Sequence, residues 1–123
     1  MAKGILWISV NVRTPQPRYS SVAHGHVTLK FNVDSEDYKE LLGRKVNVYL
    51  SDLCWNDRVE AFRVILDPEM TQLCNNEHPH ITVSLADNVR PVESNDMLAG
   101  EHQSTAVGNV LQGTVEFFTF TGM

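Results

Sequence analysis

Cysteine is scarce in this chain. Cys54 and Cys74 are the two present, without C-x-x-C spacing, so no disulfide framework is available, and they read as reduced thiols of a cytosolic protein. Positive charge is also short: 10 Lys and Arg stand against 15 Asp and Glu, for a net charge of −5. That balance excludes a protein that tracks a long phosphate backbone, which needs many basic contacts, but leaves a small nucleotide or the end of an RNA as a partner. No apolar run approaches the roughly 20 residues needed to cross a bilayer, so no membrane association is expected. The N-terminal MAKGILWISVNV carries polar Ser9 and Asn11 and no small-residue cleavage site, and reads as a first strand instead of an export signal. At 123 residues the chain fits a single domain, 1–123, able to bury a core without disulfides or metal.

Periodicity organises what is there. ILWISVNV (5–12) is a β-branched strand, and the Pro-containing RTPQPRYSS (13–21) is an exposed loop. HVTLKFNV from His26 alternates, with Val27, Leu29, Phe31 and Val33 on one face and His26, Thr28, Lys30 and Asn32 on the other. DSEDYKELLG predicts a two-turn helix over 34–42, capped by Asp34 or Ser35 and stopped at Gly43. KVNVYLS (45–51) and RVEAFRVIL (58–66) predict a hairpin, with Trp55 at its turn. DPEMTQLCNNE (67–77) reads as loop or weak helix. HITVSLA then alternates in the phase of the His26 strand, with Ile81, Val83 and Leu85 inward. A short helix is expected around Glu93–Leu98, a loop over EHQSTAVGNVLQG, and a last strand over TVEFFTF (114–120). The expected class is α+β with mostly antiparallel pairing.

One pattern carries chemistry. Residues 24–28 read HGHVT and 78–82 read HPHIT, so four of the five histidines lie in two copies of His-x-His-x-Thr. Strand residues i and i+2 share a face, so His26 projects with Thr28 and His80 with Thr82. Two such strands side by side would bring two imidazoles and two hydroxyls together. In-line cleavage of a P–O bond needs a base for the nucleophile and an acid for the leaving oxygen. Imidazole, titrating near 6.5, serves both roles, while threonine hydroxyls donate to non-bridging phosphate oxygens. The dull alternatives are chance and a metal site of four imidazoles, such as a cupin-type centre. The metal reading leaves both threonines unexplained, and Gly25 and Pro79 put His24 and His78 where the strands are only beginning. His102 stands in a polar loop without a partner.

The pair HVTLKF and HITVSL resembles the His-apolar-Thr/Ser-apolar signatures of the two-histidine phosphoesterase superfamily. PHITVSLADNVRPVESNDML is most similar to the second motif region of the cyclic phosphodiesterase domains of tRNA ligases. The resemblance implies a compact two-lobed fold with pseudo-twofold symmetry around a central cleft, in which 2′,3′-cyclic phosphates are opened, or 2′,5′ linkages cut, with neither metal nor cofactor. It implies His26 and His80 as the acid–base pair and Thr28 and Thr82 as the phosphate holders. The chain is shorter than family members and has one convincing helix, which implies a trimmed second lobe and a more open cleft.

Secondary candidates for substrate contact follow from face and position. Lys30 and Ser84 lie two residues beyond the threonines, Tyr19 and Arg18 occupy the loop before the first motif, and His24 and His78 stand at the motif rims. The expected function is metal-independent hydrolysis of a cyclic phosphate on a nucleotide or RNA 3′ end, or of a small 2′,5′-linked or cyclic oligonucleotide. A non-catalytic nucleotide- or phosphate-binding module and a His-rich metalloprotein are the rival expectations.

Overall fold

The structure, a computed structural model, describes residues 3–12, 16–23 and 25–120. Its frame is β1 (Lys3–Val10), β2 (Ser21–Val22), β3 (His26–Asp34), β4 (Lys45–Trp55), β5 (Val59–Leu66), β6 (His80–Leu85) and β7 (Gln103–Thr119), with α1 (Pro68–Leu73) between β5 and β6 and α2 (Glu93–Ala99) between β6 and β7. The sheet runs β2-β6-β3-β1-β7-β4-β5, and a further β6–β5 pairing closes six of the strands into an antiparallel barrel. Closure removes the exposed edges that an open sheet of this size would present.

This departs from the expected two lobes around a cleft. The chain is mostly antiparallel sheet with few helices, and its two motif strands are neighbours in one barrel wall. The two motif strands pair antiparallel, with Val27 opposite Ile81.

Alternation builds the barrel interior. Leu6, Ile8 and Val10 of β1, Val27 and Leu29 of β3, Val46, Val48 and Leu50 of β4, Phe62, Val64 and Leu66 of β5, Ile81 and Val83 of β6 and Val115 of β7 form one buried cluster, joined by Met70 of α1. Asp67 caps α1, its carboxylate accepting from Met70 N at 2.8 Å, and Pro68 follows in the first turn, where no amide is missed. A second cluster lies outside the wall, where Met97 and Leu98 of α2, with Val89, cover Cys54, Val59, Ala61 and Leu85. Each of those large side chains contributes about 1.5–3 kcal/mol by leaving water.

Two expected elements changed. The helix over 34–42 is one 3-10 turn, Ser35–Tyr38. Asp34 does cap it, accepting from Glu36 N at 3.1 Å. The following amides bond three residues back, and Gly43 N is claimed by Val115 O at 2.8 Å, so the segment is tied to the sheet before an α-helix can extend. Conversely, the expected loop over 101–113 is mostly strand. β4 runs to Trp55, and β7 pairs with its whole length, from Lys45↔Thr114 to Trp55↔Gln103. The register shifts between Leu50 and Asp52, and opposite this irregularity Gly108 adopts φ +68°, a backbone state that costs glycine little.

Candidate active site

Because Val27 and Ile81 are buried in the barrel, at 0% and 1% exposure, their strand neighbours His26, Thr28, His80 and Thr82 project from its outer wall. β3 and β6 are antiparallel with Val27 opposite Ile81. His26 therefore stands beside Thr82 and Thr28 beside His80, and the two histidines are diagonal neighbours roughly 7–8 Å apart at the backbone. The two motifs come together as anticipated, on adjacent strands instead of across a groove.

Gly25 explains the middle of the first motif. Val10 N donates to Gly25 O at 3.0 Å, and a Cβ at Gly25 would lie 2.4 Å from Val10 O. Only glycine lets the start of β3 approach the end of β1 so closely. Between Val22 and Val27 the pairing with β6 advances by two residues, so His26 begins a new register in phase with Thr82. His24 lies outside the described residues.

The environments of the two histidines differ. His80 Nδ1 lies 2.7 Å from the carbonyl oxygen of His78. A carbonyl only accepts, so Nδ1 carries the proton, and in the neutral ring Nε2 keeps the lone pair. Burial pushes the pKa of His80 below its ordinary value near 6.5, partly opposed by the bond to His78. His26 packs against Trp7 with ring centroids 4.2 Å apart and an interplanar angle of 31°, and Trp7 is backed by Phe118 at 5.1 Å. Trp7 Nε1 is buried without a hydrogen-bond partner among the described residues. Such a donor costs about 1–3 kcal/mol, so Trp7→Phe, which keeps the ring stack and removes the donor, is expected to leave the thermal midpoint unchanged or raise it. A clear fall would show that Nε1 is satisfied in solution.

His80 has a consequence for pH. Above about pH 6.5 the ring is neutral in both folded and unfolded chains and pH has no effect through it. As pH falls through that value the unfolded chain binds the proton first, so stability declines. The fall in urea midpoint between about pH 7.5 and 5.5 is expected to be smaller for His80→Gln than for the natural protein. Equal slopes would count against a buried, neutral His80.

Among the threonines, Thr28 is partly exposed. Thr82 is 8% exposed, and its hydroxyl lies 2.9 Å from Ser94 Oγ, on α2. One of these two hydroxyls donates to the other, and the bond fixes α2 against the motif strand. Ser94 carried no signal in the sequence beyond an ordinary helical serine.

Several secondary candidates are engaged elsewhere. Alternation would place Ser84 with Thr82, but the β5–β6 register shifts between Glu60 and Ala61, bringing Ser84 opposite Glu60. Ser84 Oγ donates to Glu60 Oε1 at 2.8 Å, and Tyr19 N donates to Ser84 Oγ at 3.1 Å. The Tyr19 hydroxyl donates to the Asn56 carbonyl. Arg18 N donates to Glu60 Oε1 at 2.9 Å, while the Arg18 guanidinium lies 4.2 Å over the Trp55 ring. Arg18, Tyr19 and Ser84 thus pin the 16–20 segment around buried Glu60, and Trp55 is part of that packing at the end of β4. The Lys30 amine bonds Asn75 Oδ1 at 3.0 Å. His78 acts through its carbonyl, which orients His80. Among the described residues no three His, Cys, Asp or Glu side chains are grouped so as to hold a metal ion, and no helix is long and apolar enough to cross a membrane.

The model of the fungal tRNA ligase phosphodiesterase domain matches residues 16–120, spanning both motif strands and the elements between and after them. The chain belongs to this family. No curated protein sequence matches it. For a member of the tRNA ligase phosphodiesterase family, membership implies 2′,3′-cyclic phosphodiesterase activity on RNA or nucleotide substrates in general terms.

Proposed function

We propose that the protein hydrolyses the 2′,3′-cyclic phosphate of an RNA 3′ end or of a nucleotide without metal, using His80 as base and His26 as acid. The observation that supports this reading best is the His80 Nδ1 bond to the His78 carbonyl, which leaves Nε2 as acceptor in a ring kept neutral by burial. Water attacks phosphorus as His80 Nε2 takes its proton. The P–O bond to one ribose oxygen breaks, and that oxygen takes a proton from His26. The product is a phosphomonoester, with the acid and base forms of the two histidines exchanged and restored through solvent. Thr28 donates to a non-bridging oxygen, and the hydroxyl pair of Thr82 and Ser94 supplies a second donor at the other end of the site.

The test is hydrolysis of 2′,3′-cyclic mononucleotides in EDTA. Turnover that persists in chelator with a bell-shaped pH profile supports paired histidines. Activity that vanishes in EDTA and returns with a divalent metal sinks the reading, and binding without turnover turns the same site into a nucleotide-binding module.

A further inference from the structure

We infer that Arg63, on the strand flanking the motif pair, is the cation of this site and holds the non-bridging oxygens of the phosphate. The inference rests on the phosphodiesterase reading above for its substrate, and on pairing and charge for the residue.

β6 pairs with β2 and β3 along one side and with β5 along the other. On the β5 side His80 lies opposite Arg63. Arg63 is flanked by Phe62 and Val64, buried in the barrel at 8% and 3% exposure, so its own side chain leaves the outer wall on the same face as His80. Thr28, His80 and Arg63 therefore form one row across three adjacent strands. The parallel row holds His26, Thr82 and Ala61, and Ala61 is covered by α2, so the open part of this face is the row that carries Arg63.

Charge narrows the choice: Arg63 and Arg90 are the described arginines without an ion pair, and Arg90 lies off the motif strands, between β6 and α2. Arg18 is engaged by Glu60, Arg44 by Glu69 and Arg58 by Glu93. Arg63 is partly exposed and has no carboxylate within ion-pair distance among the described residues. Asp52, its β4 pairing partner, is the nearest acidic residue in register, and the Cys54 thiol, pushed up by burial, also interacts with the guanidinium. A neutral thiol and an unbonded carboxylate leave the guanidinium with donors to spare. Its planar fork matches two oxygens of a phosphate. A cyclic diester carries one negative charge, and both the transition state and the monoester product concentrate more on those oxygens, so a cation one strand from His80 acts on catalysis as well as on binding.

The experiment compares the natural protein with Arg63→Gln and Arg63→Lys, checking each fold by circular dichroism. It measures kcat/KM on a 2′,3′-cyclic mononucleotide, and binding of inorganic phosphate by shifts of the histidine resonances. The expected result is a loss of about 10²-fold or more in kcat/KM for Arg63→Gln, with weakened phosphate binding, and partial recovery in Arg63→Lys. Natural kcat/KM and phosphate affinity in folded Arg63→Gln would overturn the inference while leaving the phosphodiesterase reading intact. If the natural protein proves inactive on cyclic phosphates, that reading fails, and phosphate binding lost in Arg63→Gln still supports an anion site at Arg63. If the natural protein neither turns over the substrate nor binds phosphate, both fail.

Discussion

Replacing His80 or His26 by alanine is expected to lower turnover of a 2′,3′-cyclic mononucleotide by about 10²–10⁴-fold, the range that one positioned acid or base supplies. The two losses should not multiply in the double variant, because acid and base serve one proton-transfer sequence. The variants should separate by pH. Without His80 the acidic limb of the rate profile, set by a ring whose pKa burial holds below about 6.5, is expected to disappear. Without His26 the basic limb should go instead. Near-natural rates in either single variant would end the paired-histidine account, and loss of the wrong limb would reverse the assignment of acid and base. Folding controls accompany both variants, since His80 is anchored through His78 and His26 packs against Trp7.

Glu60→Ala is expected to destabilise the fold by about 2–4 kcal/mol, from the buried Ser84 hydroxyl and the part-buried Arg18 amide losing their acceptor. Glu60 is 2% exposed and accepts from Ser84 Oγ and Arg18 N at 2.8 and 2.9 Å. Its approach to the Arg18 guanidinium is 3.9 Å with the arginine side chain 42% exposed, so that ion pair adds little. Glu60→Gln keeps a carbonyl oxygen at the same place and should cost clearly less. Urea unfolding followed by fluorescence measures both. Equal effects of the two substitutions would mean that charge, not acceptor geometry, is what matters. The folded fraction of Glu60→Ala should still turn over cyclic phosphate, since the network contacts neither His26 nor His80 among the bonds described. A loss as deep as that of His80→Ala would assign Glu60 to the chemistry.

The two largest departures from the expected fold have one cause. The segment after Asp34 has a cap and an amphipathic pattern suited to a helix, yet its amide at Gly43 is taken by β7. The residues from Gln103 are small and polar and carry no strand pattern, yet they pair along the whole of β4. Ladder hydrogen bonds are made between segments distant in the chain and outweigh local preferences of a few tenths of a kcal/mol per residue. The same applies to Ser84. It continues the alternation that begins at Thr82, and a register shift against β5 sets it opposite Glu60.

His26, Thr28, His80 and Thr82 were legible as a set from the chain alone, since strand period determines which side chains share a face and buried Val27, Leu29, Ile81 and Val83 determine which face is outward. The sequence also carried the family in its two motifs. Tertiary structure alone decided that the motif strands are adjacent, that His78 orients His80 through its backbone, that Ser94 meets Thr82, and that Arg63 stands in the histidine row. Periodicity is local and survives any arrangement of the strands. Which strand lies beside which, and in what register, depends on closing the barrel, and that is where a side chain acquires its neighbours.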